Sequence, residues 1–135
     1  MKKYKYYLSC YPKNEKEVAT LKSVASILRE EVGDDKVYVP YEHYLDEKDE
    51  LINEEWSLKY MSDNLLALLC SEEIYVIDRG SAGSVSVGYE VGYAYARGIP
   101  ITAHSKGKDI SYLVAASAAA FTNGSQTQVT DCSRT

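Results

Sequence analysis

The chain has 135 residues, 45% of them apolar and 26% charged, with a formal net charge of −5. That length suits a single domain over residues 1–135 with one substantial core. The acidic balance argues against the basic footprint that grips nucleic acid polymers, while leaving small nucleotides open as ligands. The basic start (Met1, Lys2, Lys3) leads into no apolar signal core, and no apolar run nears the roughly 20 residues of a membrane span. A cytoplasmic location with no membrane partner is expected. Cys10, Cys70 and Cys132 are scattered without a CxxC pair, which fits reduced thiols rather than a disulfide frame or a zinc site. Thirteen tyrosines accompany a single phenylalanine, an excess read as compositional drift.

The elements alternate along the chain. "KYKYYLSCY" (3–11) is an aromatic-rich strand that ends at Pro12. "EKEVATLKSVASILREEV" (15–32) sets Val18, Leu21, Val24, Ala25 and Leu28 at helical spacing, with Asn14 as N-cap and Gly33 as the stop. "KVYVP" (36–40) reads as a second strand closed by proline. The polar residues 42–62 read as a loop leading into a helix that "NLLALLC" (64–70) continues. "EIYVID" (73–78) is a third strand of the apolar kind covered on both faces. After the loop "RGSAGS" (79–84) come a helix "VGYEVGYAYARG" (87–98), a fourth strand "IPITAHS" (99–105), a helix "DISYLVAASAAAF" (109–121) and a frayed strand or tail in "SQTQVTDC" (125–132).

This alternation predicts a doubly wound parallel α/β sheet. Ligands of such sheets bind beyond the carboxyl ends of the strands where the strand order reverses. The loops 8–14 and 78–88 are therefore the expected site. The second runs into "SVSVGYEVGYAYARGIPI" (84–101), where Glu90 stands among small and aromatic residues. Burying an ionised carboxylate is costly unless it is paired or used. Gly88 and Gly92 each weaken a helix by roughly 1 kcal/mol relative to alanine, and serines with free amides at a helix start suit an oxyanion. Two readings stay open on these residues. In one, a carboxylate works beside a bound anion. In the other, Glu90 is a solvated first-turn acid facing the macrodipole and the glycines serve packing.

The same segment resembles the nucleoside 2-deoxyribosyltransferase superfamily, and within it the 2'-deoxynucleoside 5'-phosphate N-hydrolases, which carry Ser-x-Gly-Val-Gly-Tyr-Glu-x-Gly. The likeness extends to the Tyr7-Leu8 strand end, to "NLLALLCSEEIYVI" and to "DISYLVAASAAAFTNGS", so it spans most of the chain in order. It implies a flavodoxin-like fold of about five strands with helices on both faces. It also implies an N-glycosidase acting on a (deoxy)nucleoside 5'-monophosphate, with no cofactor or metal. Glu90 would attack the anomeric carbon and form a glycosyl ester, which water resolves in hydrolases and a second base in transferases. Tyr7 would orient that nucleophile, although it also reads as ordinary strand core. Ser84 matches a serine that binds the 5'-phosphate. Ser111 matches a second phosphate-binding serine supplied by a neighbouring subunit, so a homodimer follows.

Ser9, Cys10 and Lys13 fall where the family's first loop wraps sugar and phosphate, and Lys13 reads equally as a solvated charge. Gly88 belongs to the motif. Ser86 stands where the hydrolases have glycine and would narrow the phosphate loop. The family's sugar-contacting aspartate aligns with Asn64 without a gap and with Asp63 after a one-residue shift. A missing acid there would favour a third outcome, a nucleotide-binding or sensing module. His43 and His104 read as solvated or satisfied, and "DEKDE" (46–50) as a solvated face or a loop over the site. Trp56 and Tyr60 read as core, ahead of the alternative that one of them walls the base pocket.

Overall fold

The protein is described by a computed structural model covering residues 2–47, 54–78, 85–105 and 129–131. Five strands, β1 (Tyr4–Ser9), β2 (Val37–Tyr38), β3 (Ser71–Asp78), β4 (Ile101–Ser105) and β5 (Val129–Asp131), form one sheet. Their order is β2-β1-β3-β4-β5, with every neighbouring pair parallel. The described helices are α1 (Glu15–Val32), α2 (Pro40–Glu47), α3 (Glu54–Leu69) and α4 (Val85–Ala96). This is the expected flavodoxin-like winding, and its strand order reverses between β1 and β3.

Period-two alternation along β1 divides the core. Tyr6, Leu8 and Cys10 pack with Leu21, Val24, Ala25 and Leu28 of α1. Tyr7 faces the other way, into a cluster with Ala67 and Leu68 of α3 and Val87, Val91 and Ala94 of α4. Helices therefore cover both faces. On the α3/α4 face, one row across the sheet is bulky: Tyr38, Tyr7, Ile74 and Ile101 are successive register partners. The row nearer the carboxyl ends is Ser9, Val76 and Ala103. Its smaller side chains leave room above the sheet, at the end where the site lies.

The bounds of α1 match the sequence reading. The Asn14 side chain accepts from the Glu17 N–H at 2.8 Å, capping the start. Gly33 closes the end at φ 103°, its N–H bonding Arg29 O at 2.8 Å. A side chain is strained at that φ, so Gly33→Ala is expected to cost about 1–3 kcal/mol, read as a lower urea midpoint. A midpoint equal to that of the unsubstituted protein would refute this.

Residues 42–62 differ from expectation. Instead of a loop and one helix, they hold most of α2 and the start of α3. Pro40 opens α2, a position where its missing N–H and fixed φ suit a helix. The carboxylate of Glu42 then accepts from both terminal guanidinium nitrogens of Arg29, at 2.7 and 2.8 Å. Because Pro40 starts a helix, the second strand is shorter than the sequence suggests. The helix expected over 109–121, the loop 79–84 with Ser84, residues 48–50 of the acidic run, and Ser111 all lie outside the described residues. Among the described residues no helix is long and apolar enough to cross a membrane, and no cluster of His, Cys, Asp and Glu could hold a metal ion.

Candidate active site

The inward stripe of α4 is Val87, Glu90, Val91 and Ala94, the i, i+3, i+4, i+7 pattern of a helix face laid on a core. Glu90 therefore points at the sheet, and only 4% of it is exposed. The solvated first-turn reading is thereby corrected. Beneath it, alternation along β1 and the following loop brings Tyr7, Ser9 and Tyr11 to the same side. Their hydroxyls all donate to the Glu90 carboxylate. Ser9 Oγ lies 2.7 Å from Oε1 and Tyr11 Oη 2.6 Å from Oε2, while the Tyr7 hydroxyl donates to Oε2 as well.

Burial pushes the Glu90 pKa above the ordinary carboxylate value, and the hydrogen bonds from Tyr11, Tyr7 and Ser9 pull it back down. The same burial, reinforced by the Glu90 charge, raises Tyr7 and Tyr11 well above the ordinary phenol value. Both phenols stay protonated across the working pH range and act only as donors to the carboxylate. The Glu90 charge is thus met by neutral hydrogen-bond donors, with no cation among its hydrogen-bond partners in the described residues.

A second ring of contacts holds this group in place. Tyr7 stacks on Tyr38, with centroids 5.5 Å apart, and the Tyr38 hydroxyl donates to Asn64 Oδ1 at 2.9 Å. Asn64 is buried on α3. Tyr60, one helical turn earlier, donates to Pro40 O at 2.9 Å. Burial raises the Tyr60 pKa to about 12 against hydrogen bonding from Asn64. Trp56 stacks on Tyr60 at 5.0 Å, and Tyr44 meets both rings edge-on. Removing the carboxamide in Asn64→Ala takes the acceptor from the buried Tyr38 hydroxyl. A loss of about 1–3 kcal/mol in denaturant unfolding is expected, and an unchanged unfolding curve would count against this network.

Above Glu90 opens a cleft of about 240 Å³, lined by Tyr11, Tyr60, Met61, Asn64, Leu65, Val85, Ser86, Tyr89 and Glu90. It lies at the carboxyl end of β1, where the strand order reverses. Aromatic walls suit a flat ring. A carboxylate at the cleft lining suits attack on an electrophilic carbon or stabilisation of a developing cation.

The structure brings together Glu90, Tyr7, Ser9 and Asn64, and sets Ser86 on the cleft wall. It does not gather the others. Asp63 is exposed and pairs with Lys59 at 3.1 Å. Cys10 is buried against α1 on the opposite face of the sheet, because it alternates with Ser9 and Tyr11. Lys13 is exposed, its backbone N–H bonding Glu17. Gly88 is exposed and absent from the cleft lining, and no described atom lies within 4 Å of where a Cβ would sit at Gly88 or Gly92. The packing role for those glycines finds no partner among the described residues.

Tyr11 escapes the sequence reading, and Tyr60, favoured there as core over a wall of the base pocket, lines the cleft. The signal for Tyr11 is the period of two that runs Tyr7, Ser9, Tyr11. The tyrosine excess is also more than drift, since Tyr7, Tyr11, Tyr38, Tyr60 and Tyr89 gather around one carboxylate or its cleft. His43, read as solvated, is exposed and stacks on Tyr38 at 4.6 Å. His104 sits beside the Tyr75 hydroxyl.

The chain matches no protein-family model and no curated protein. A solved structure, described as a 2-deoxyribosyltransferase from the psychrotolerant bacterium Bacillus psychrosaccharolyticus, aligns with it at a TM-score of 0.72. Identity is 24%, over 83% of this chain and 80% of that one. Likeness at that identity establishes a shared fold: the chain has the flavodoxin-like α/β architecture of this 2-deoxyribosyltransferase.

Proposed function

We propose that the protein hydrolyses the N-glycosidic bond of a nucleoside 5'-monophosphate, releasing free base and a (deoxy)ribose 5-phosphate. The observation that carries this reading is the buried Glu90 carboxylate, held by three hydroxyls at the floor of an aromatic cleft. In the first step a Glu90 oxygen forms a bond to the anomeric carbon. The carbon–nitrogen bond breaks, and its electron pair leaves with the base, which takes a proton from water. In the second step a water oxygen attacks the same carbon, the ester bond to Glu90 breaks, and the water gives its second proton to solvent. Splitting one displacement in two lets a carboxylate meet oxocarbenium character twice.

The monophosphate preference draws on the first turn of α4. Val85 and Ser86 line the cleft, and free amides at a helix start favour an anion. Ser84, Gly88 and Ser111 join this reading through the resemblance of their segments alone, and Ser111 would come from a second copy in a homodimer. Asn64 lines the cleft and Asp63 does not, which supports reading Asn64 in the place of the sugar-contacting acid.

A transferase reading is favoured by the name of the structural neighbour. One experiment separates the two. The protein is incubated with a panel of ribo- and deoxyribonucleosides and their 5'-monophosphates, with and without a second free base, and products are resolved by chromatography. Base released from monophosphates with no new nucleoside supports hydrolysis. A new nucleoside appearing with the added base replaces it by sugar transfer. No released base from any compound overturns both, and tight nucleotide binding by calorimetry in that case would indicate a sensing module.

A further inference from the structure

The two oxygens of Glu90 are not equivalent. An ionised carboxylate oxygen offers two lone-pair sites in its plane. Oε2 accepts from both Tyr7 and Tyr11, which fills both, whereas among the described residues Oε1 accepts from Ser9 alone and keeps one. Tyr7 and Ser9 lie in the sheet and are buried, so they are held by the fold. Tyr11 is different. It follows β1 in a loop, is half-buried, and lines the cleft itself.

We infer that Tyr11 is a positioning residue that works with Tyr7 on Oε2, leaving Oε1 as the attacking oxygen and making Oε2 the carbonyl oxygen of the glycosyl ester. This rests on Glu90 being the nucleophile of the proposed reaction. In the first step Oε1 uses its open lone pair to bond the anomeric carbon. In the second step water attacks that carbon, the bond to Oε1 breaks, and negative charge returns to the carboxylate. Two phenols already aimed at Oε2 stabilise the returning charge without reorganisation, as donors aimed at a developing oxyanion do. Their larger effect is therefore on the second step, the departure of Glu90 from the sugar.

Tyr11→Phe removes one hydroxyl and keeps the ring on the cleft wall. A donor to a charged group is worth roughly ten- to a hundredfold, and kcat should fall by about that factor, with KM falling alongside it and kcat/KM changing little. The slowed second step should leave sugar phosphate on the protein, seen as an added mass in intact-protein spectra taken during turnover. Loss of a donor also raises the Glu90 pKa, so the acid limb of the kcat/KM profile, which reports the free enzyme, should move to higher pH. Carbon-13 NMR of labelled glutamate should show the same upward shift in protein without substrate. A thermal melt close to that of the unsubstituted protein shows that folding is retained.

The NMR titration needs no turnover, so it separates this inference from the function beneath it. If the unsubstituted protein releases base while Tyr11→Phe leaves the Glu90 titration, kcat and adduct level unmoved, the inference is overturned and the function stands. If the unsubstituted protein releases base from nothing offered, the function falls and the catalytic role of Tyr11 falls with it.

Discussion

Glu90→Gln should abolish base release and at the same time raise the melting temperature at neutral pH. Glutamine keeps the shape of the side chain. Its carbonyl can accept from Tyr7 and Tyr11, and Ser9 can turn its hydroxyl to accept from the amide. What disappears is the nucleophile. Removing such a group from a concerted site costs on the order of ten-thousandfold or more in kcat, to be read on the monophosphate panel. Undiminished base release from Glu90→Gln would end the hydrolase assignment.

The stability half follows from the sign of the Glu90 shift. Its folded-state pKa is raised, chiefly by burial, so between the unfolded value and the folded one the native state binds more protons than the unfolded chain. Stability therefore falls as pH rises through that window and stays reduced above it. Above that window the unsubstituted protein carries the whole penalty, and Glu90→Gln carries none at any pH. Below the unfolded carboxylate value both side chains are neutral and the two melting temperatures should converge. Catalysis has the opposite pH preference, because only the ionised form attacks. The rate should decline as pH falls through the raised pKa, so the protein gives up stability where it is active. A Glu90→Gln melt below that of the unsubstituted protein at pH 7 would contradict this trade.

Ile74→Ala carries the second large effect, on the fold. Ile74 is fully buried in β3, pairing in register with Tyr7 on one side and Ile101 on the other. Truncating such a side chain removes transfer free energy and leaves a cavity the central strands cannot close. The expected loss is about 2–5 kcal/mol, a large part of the roughly 5–15 kcal/mol that holds a domain of this size. Urea unfolding should show a lower midpoint at similar slope. The cavity opens beside the Tyr7 ring, so kcat should also fall as Tyr7 loses its backing. A midpoint shift worth less than about 1 kcal/mol would mean that this row does not bear on the core as the register implies.

Much of the architecture is legible without coordinates. Asn14, the stripe Leu21–Val24–Ala25–Leu28 and Gly33 define α1 to the residue, because capping and periodicity are local and agree. The apolar run of β3 and the alternation with helices predict the parallel sheet. Residues 42–62 are misread because α2 draws on two things outside its own pattern, a proline at its first position and a carboxylate held by Arg29 from another helix. Asp63 and Asn64 are neighbours on one helix about 100° apart, so a one-residue ambiguity in alignment chooses between a solvent-facing acid and a buried amide.

Local order along the chain therefore determined the elements, their winding and the helical position of Glu90, since each depends on spacings of a few residues. Which way that carboxylate turns, and that three hydroxyls and a cleft meet it, only the tertiary structure decided. Tyr7 and Glu90 are 83 residues apart and Tyr11 and Glu90 79, and no local period links them. Their meeting depends on α4 packing over β3, the sheet neighbour of β1, at the strand-order reversal, where a row of small residues leaves the space for it.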